Sequence, residues 1–309
     1  MIEPIARVKI SLTSDCNLRC AYCAIDKERG ERADVPALMA ALAPLLRAGG
    51  RVALVGLYGG EPMADYAAVS AIIAKASRLA GRLGKELRFS MATNGLLLER
   101  RHLRFLRSRE VEVCISVDGP RRDERAFADG RGSFEAVAEK LKLVFAEMPG
   151  RKLTALQGVH PGNAARFEEN FRAVLGLGFT NVNLEMIQGP PWNEQARGAF
   201  VRGFGAARRI LLSRAASASP IFLHSVNRAL AAAAGTAIAP AAELLPSGER
   251  SPAPYPFAHL AAGSRASLAA GARMVECRDR LSRRLAQELL SRRGARAYRV
   301  EAARRGLSI

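Results

Sequence analysis

The chain has 309 residues, 49% of them hydrophobic, with a mean hydropathy of −0.01, which suits a soluble protein with one large core or one core plus a small appendage. No apolar run is long enough to span a bilayer, and the opening MIEPIARVKISLT lacks the charged and apolar sections of a signal peptide, so a reducing, cytoplasmic setting is expected, where clustered cysteines bind metal rather than pair. The net charge of +18 does not select nucleic acid: only seven of 47 basic residues are Lys, an Arg/Ala bias that fits a GC-rich coding sequence, and no nucleic-acid motif accompanies it, although such a field draws any acidic partner.

In chain order, β-rich runs at 7–13, 51–59, 87–93, 111–118, 152–159 and 181–187 alternate with helical patterns at 35–48, 65–82, 98–108, 133–147 and 164–177. The predicted strands are mostly apolar on both faces, as in buried parallel sheets. Six βα units in a row imply a parallel α/β sheet, either open and doubly wound or curled toward a barrel. From about residue 193 the pattern changes to a helix near 194–216, an Ala-rich run, and a Pro/Gly/Ser-rich stretch at 235–257 that reads as linker. From Arg273 onward, 11 Arg against four acids occupy a largely helical pattern. The division expected is a core at 1–192 and a helical, Ala/Arg-rich extension at 193–309.

In a parallel βα fold the functional loops follow the C-terminal ends of the strands. Cys16, Cys20 and Cys23 follow the first strand, Gly59-Gly60-Glu61-Pro62 the second, Thr93-Asn94-Gly95 the third, and Ser116-Val117-Asp118-Gly119-Pro120 ends the fourth. Taken singly, GGEP, TNG and DGP are ordinary turn sequences, and Asp118 or Ser116 could cap a helix. Turn chemistry does not account for three cysteines on the same rim.

Thiolates are the usual ligands of iron–sulfur clusters, and a four-iron cubane takes four ligands, so three from one loop leave one iron open. A zinc site would need a fourth ligand, and His102, His160, His224 and His259 all lie far from the cysteines without finger-like spacing. The stretch TSDCNLRCAYC resembles the signature of the radical S-adenosylmethionine (SAM) enzymes, and GGEP resembles its glycine-rich companion. ISVDGP…R…GRGSF, at 115–134, is similar to the branch of peptide- and protein-modifying maturases that includes the anaerobic sulfatase maturases and the SPASM group.

The resemblance covers about residues 7–190 and implies a partial (β/α)6, TIM-like barrel. It also implies that Cys16, Cys20 and Cys23 hold one [4Fe–4S] cluster whose open iron is chelated by SAM. Tyr22 would pack beside the cluster and adenine. Gly59, Gly60 and Glu61 would meet the SAM amino group through backbone carbonyls and side chain, Ser116 and Asp118 its ribose or carboxylate. Asn94 would line the cavity, and Arg125 would pair with the SAM carboxylate. Reductive cleavage of SAM would yield a 5′-deoxyadenosyl radical that removes a hydrogen from the substrate. A flavodoxin or ferredoxin is the implied type of electron donor.

Two features depart from that branch. RRDER at 121–125 is short and has no His, and only Cys277 lies beyond Cys114, which cannot furnish an auxiliary cluster. Cys114, inside a strand, reads as a buried apolar residue, and Cys277 as structural rather than catalytic. Glu185, Gln188 and Trp192 are the candidates to face substrate, with Trp192 equally suited to anchor its loop. No residue stands out as a general acid or base. A peptide or protein substrate is the leading expectation. The alternatives are a nucleoside, RNA or small metabolite, or a metal-binding regulatory module without turnover.

Overall fold

A computed structural model describes residues 6–215, 217, 220–233, 242–251, 265–291 and 298. Six strands, β1 (Ala6–Ser11), β2 (Val52–Tyr58), β3 (Glu86–Thr93), β4 (Glu112–Ser116), β5 (Leu153–Val159) and β6 (Asn181–Met186), alternate with helices α1 (Val35–Ala48), α2 (Tyr66–Arg82), α3 (Arg100–Ser108), α4 (Phe134–Glu147) and α5 (Phe167–Gly176). There follow α6 (Glu194–Arg214), β7 (Phe222–Leu223), α7 (His224–Ala233), β8 (Ala242–Leu244) and α8 (Arg265–Ser291). The helix starts follow local chemistry: Asp34 accepts from Ala37 N–H at 3.0 Å to open α1, and Asp65 accepts from Ala68 N–H at 3.0 Å to open α2.

All eight strands are parallel, in the order β7-β6-β5-β4-β3-β2-β1-β8. Consecutive strands are spatial neighbours from β1 to β7, so there is no switch point of the doubly wound kind. With right-handed crossovers, that order places the helices on one face and curls the sheet into a partial barrel. The helix-facing side chains, among them Val8, Ile10, Val55, Leu57, Phe89, Met91, Val113, Ile115 and Leu184, pack with Leu38, Leu42, Leu46, Ile72 and Val144 of the helices into one core. Each such fully buried side chain contributes about 1.5–3 kcal/mol.

Two expectations need correction. The strands are not buried on both faces. β2, β3 and β4 alternate buried with half-buried positions, and the second row (Gly56, Ser90, Ala92, Glu112, Cys114, Ser116) continues to Leu156, Asn183 and the exposed Glu185. This is the concave face, which the one-sided helices leave free. Cys114 therefore is half-buried on that face rather than in the core, and burial, with Glu112 and Glu185 adding, pushes its thiol well above the ordinary range.

The stretch at 235–257 is also not wholly linker. Ala242–Leu244 forms β8 beside β1, in register Val8 with Ala242 and Ile10 with Leu244. Its remaining residues at 235–241 and 252–257 lie outside the described residues, as does His259.

Candidate active site

The cysteine loop leaves β1 and is fastened on three sides. At its base, Thr13 Oγ1 donates to Glu31 O at 2.9 Å, and Asp15 N–H donates to Thr13 Oγ1 at 3.0 Å. Along its far edge, Arg19 N–H donates to Ala126 O at 2.6 Å and Ala21 N–H to Glu124 O at 2.9 Å. Thus the segment carrying Arg125 clamps the loop.

The third fastening is GGEP, whose Gly60 and Glu61 N–H groups donate to Thr13 O and Asp15 O, both at 2.7 Å. The glycines are required by this approach: a Cβ on Gly59, where φ is +143°, would lie 2.6 Å from Thr13 O, and one on Gly60 2.2 Å from Asp15 O.

Glu61 is fully buried, and its carboxylate accepts from Met63 N–H (3.0 Å), Thr93 Oγ1 (2.6 Å) and Asn94 N–H (2.7 Å). It therefore ties the loop after β2 to the loop after β3. Burial raises its pKa, opposed by the hydrogen bonds from Thr93, Asn94 and Met63. Within the protein Oε1 of Glu61 thus accepts twice and Oε2 once, and its backbone carbonyl accepts from Ala64 N–H at 2.9 Å. Asn94 continues the chain of contacts, donating from Nδ2 to Asn17 Oδ1 at 2.7 Å and lying 3.9 Å from Cys16 Sγ.

Cys16 and Cys20 are half-buried and Cys23 is exposed, and the three thiols bear on one another electrostatically. Burial raises Cys16, opposed by the Leu18 N–H that reaches its sulfur at 3.4 Å; burial also raises Cys20, opposed by Arg125. Among the described residues no group of three His, Cys, Asp or Glu closes around a single ion. In a four-iron cluster each thiolate meets a different iron, so a wider triangle is what such a cluster requires.

Behind Cys20 lies a polar network that the sequence did not predict as a unit. Tyr22 donates its hydroxyl to Asp118, which is 1% exposed and also accepts from Gly158 N–H at 2.9 Å. Arg125 Nη1 donates to Tyr22 Oη at 3.0 Å and stands 3.9 Å from Asp118. Burial would lower the Arg125 pKa, but Tyr22 and Asp118 outweigh it and hold the guanidinium well above its ordinary value. Burial likewise keeps Tyr22 well above the usual phenol range.

The GRGSF segment positions this arginine. Ser133 N–H donates to Arg125 O at 2.8 Å, while Asp123 accepts from both Arg125 N–H (3.1 Å) and Phe134 N–H (2.8 Å). Asp118 caps no helix, and Ser116 sits half-buried on the concave face at the end of β4.

His160 and Gln157 of the β5 end were missed. The His160 ring lies 5.4 Å from Tyr22, its Nδ1 3.4 Å from Glu124 Oε2, and Gln157 Nε2 donates to Asp118 O at 3.1 Å. An imidazole thus reaches the network from a distant strand, though RRDER lacks one. Inward parity of Gly158 and His160 after β5 was the available signal.

Three buried polar atoms here have no protein partner: Arg125 Nε, Gln157 Oε1 and His160 Nε2. Buried polar groups are rarely left unmatched. Thiols, glycine cradle and unmatched polar atoms together fit a cluster plus a polar, zwitterionic cosubstrate. Of the substrate-facing candidates, Glu185 is exposed and accepts from Asn183, whereas Trp192 Nε1 donates to Ile187 O at 2.8 Å and anchors its loop. Gln188 is half-buried, and Cys277, 6% exposed on α8, is structural.

Among curated proteins, the chain is 21% identical over 159 residues to radical SAM cyclopropyl synthase TigE of Paramaledivibacter caminithermalis, covering 46% of this chain and 33% of that protein. It is 27% identical over 244 residues to GTP 3',8-cyclase of Moorella thermoacetica, covering 77% of this chain and 61% of that one. The chain therefore spans between one-third and three-fifths of these relatives' lengths.

Its fold is similar to native anSMEcpe solved with bound AdoMet and a Cp18Cys peptide (TM-score 0.69, 16% identity, 82% of this chain and 75% of that one). It is similar also to SuiB of Streptococcus suis (TM-score 0.53, 11% identity, 80% and 60%). The model of the radical SAM superfamily, whose members use a [4Fe–4S] cluster and SAM, matches residues 10–173, and with that match the chain belongs to the radical SAM superfamily.

Proposed function

We propose that this chain is a radical SAM enzyme that takes a hydrogen from a peptide or protein side chain, with Cys16, Cys20 and Cys23 as the ligands of a single cluster. The observation that carries this reading is the convergence of three strand-end loops on the cysteine loop, through Glu61, through Asn94, and through Asp118 and Arg125 on Tyr22. When bound, the cluster supplies the electron that splits SAM to methionine and a 5′-deoxyadenosyl radical.

The chain's own residues orient and enclose. Gly59 and Gly60 permit the close approach of backbone to the loop, and their backbone carbonyls would meet an ammonium group. Arg125 offers its unmatched Nε to a carboxylate, and the buried Tyr22 and Asp118 hold that guanidinium in place while the walls exclude water. Residues 1–192 would then generate the radical, and 193–309 would complete the substrate side.

A peptide substrate is favoured by the ISVDGP…R…GRGSF segment, by the open concave face with its exposed Glu185, and by fold similarity to a neighbour solved with peptide. The second reading, a nucleotide or small metabolite, is favoured by similarity to GTP 3',8-cyclase over more of the chain than to the cyclopropyl synthase.

Anaerobically reconstituted protein is expected to be brown and to release 5′-deoxyadenosine under reduction. Zinc content with intact SAM overturns the proposal. Cys20→Ala should lose both colour and cleavage, and retained cleavage removes Cys20 from the ligand set. A mass shift in a co-expressed short peptide encoded beside this chain, against turnover of a nucleotide, separates the two substrate classes.

A further inference from the structure

The end of β5 reaches the cysteine loop by a route separate from Asp118. His160 is 1% exposed, and its backbone N–H donates to Asn163 Oδ1 at 3.0 Å, while Asn163 Nδ2 donates to Gly158 O at 3.0 Å. These bonds fix the point from which the ring projects. The imidazole then meets Glu124, with Nδ1 3.4 Å from Oε2. Its Nε2 has no protein partner, so the carboxylate is the ring's one polar contact among the described residues. A buried polar group with a single partner is costly to deprive of it.

Glu124 belongs to the segment that clamps the cysteine loop. Its carbonyl accepts from Ala21 N–H at 2.9 Å, between Cys20 and Cys23. One residue thus faces both ways, with its backbone toward the cysteines and its carboxylate toward β5. The His160 ring makes a second link, since its centroid lies 5.4 Å from that of Tyr22.

Gly162 supplies the space for this meeting. A Cβ there would stand 2.7 Å from Glu124 Oε1 and 3.1 Å from His160 Nδ1. Both are side-chain atoms, so an added methyl displaces the carboxylate while the backbone keeps its course. Core packing explains why an imidazole is buried. It does not call for a carboxylate at Nδ1 with a glycine making room beside it.

We propose that Glu124 and His160 are positioning residues of the cysteine loop, a strut that ties the peptide carrying Cys20 and Cys23 to the end of β5. Asp118 and Arg125 fasten that peptide at Tyr22; the strut fastens it one residue earlier, at Ala21. Two successive residues held from two strands restrict how far the two cysteines can turn from a shared cluster. The inference deepens the proposed function and rests on it only where the cluster is the readout.

Amide hydrogen exchange of the full, reconstituted protein tests it, read at Ala21 N–H in peptides spanning the cysteine loop. Glu124→Met keeps the side chain's bulk and loses the acceptor. It should speed that exchange by about tenfold, because opening the loop no longer breaks the strut contact. Gly162→Ala should do the same without altering either partner, and it guards against a Glu124→Met protein that fails to fold. Glu124→Gln keeps an acceptor oxygen at the same reach and should exchange as the parent does. Iron release to a ferrous chelator, followed on the same samples, should quicken in Glu124→Met and Gly162→Ala alone.

Exchange at the parent rate in either of those two variants overturns the strut. So does equal acceleration in Glu124→Gln, or in Glu135→Met, an exposed control in the first turn of α4. Faster exchange with unchanged iron release overturns the assignment of the strut to the cluster. A parent protein that shows the full exchange pattern but leaves SAM intact under reduction overturns the radical reading and leaves the strut standing.

Discussion

Gly60→Ala is the sharpest test of how the site is held together. The new Cβ would lie 2.2 Å from Asp15 O and 2.6 Å from Ser14 O. Both are backbone atoms, so no rotamer change relieves the contact, and ordinary van der Waals spacing demands a separation greater by roughly 1 Å or more. That displacement stretches Gly60 N–H to Thr13 O and Glu61 N–H to Asp15 O, each 2.7 Å in the native arrangement.

Overpacking costs about 1–3 kcal/mol, and two backbone hydrogen bonds add about 1 kcal/mol each, for a total of about 3–5 kcal/mol. Urea unfolding measures that loss, and iron bound per chain after anaerobic reconstitution should fall with it, because Asp15 adjoins Cys16. Gly81→Ala is the control: inside α2, with nothing within 4 Å of its added Cβ, it should stabilise by about 0.5–1 kcal/mol. If Gly60→Ala unfolds with the parent and takes up full iron, the bracketing of the cysteine loop by GGEP is wrong.

Tyr22→Phe leaves the buried Asp118 with Gly158 N–H and an Arg125 at 3.9 Å; a loss of about 1.5–3 kcal/mol in urea unfolding is expected, and an unchanged midpoint would contradict the network. For His224 the folded pKa is about 4 against an ordinary 6.5, so the unfolded chain binds the proton more readily, and stability should fall as pH drops from 6.5 toward 4. His224→Gln should flatten that part of the pH profile, and an unaltered slope would place the proton uptake elsewhere. Arg208 pairs with Glu288 through two contacts of 2.7 Å but is half exposed, so Arg208→Ala should cost only about 0.5–1 kcal/mol; a larger loss would show that this bridge decides the docking of α8 on α6.

The six strands, the first six helices and the four rim loops were legible in the sequence because each rests on local signals: alternation of apolar runs, turn residues, and three cysteines within eight positions. The short β7 and β8 were not legible. Two or three residues carry no periodicity of their own, and Ala242–Leu244 becomes a strand only because β1 offers it an open edge. The same reason explains Cys114, whose strand reads as apolar but whose inward parity sets it beside Glu112 and Ser116.

Site roles divide along the same line. That Cys16, Cys20 and Cys23 stand on one loop at the rim follows from spacing, since three residues within eight positions after a strand stay on one loop whatever the rest of the chain does. That Glu61 spends its carboxylate on Thr93 and Asn94, and that His160 reaches Tyr22 from β5, depends on strand register across gaps of 32 to 138 residues. The sequence by itself determined the chemistry at the rim, because ligand spacing and turn composition are properties of neighbours along the chain. Only the tertiary structure decided which groups hold that rim in place, and that Arg228 and Arg278 share the Asp279 carboxylate, because burial and charge are set by whatever the folded chain brings alongside.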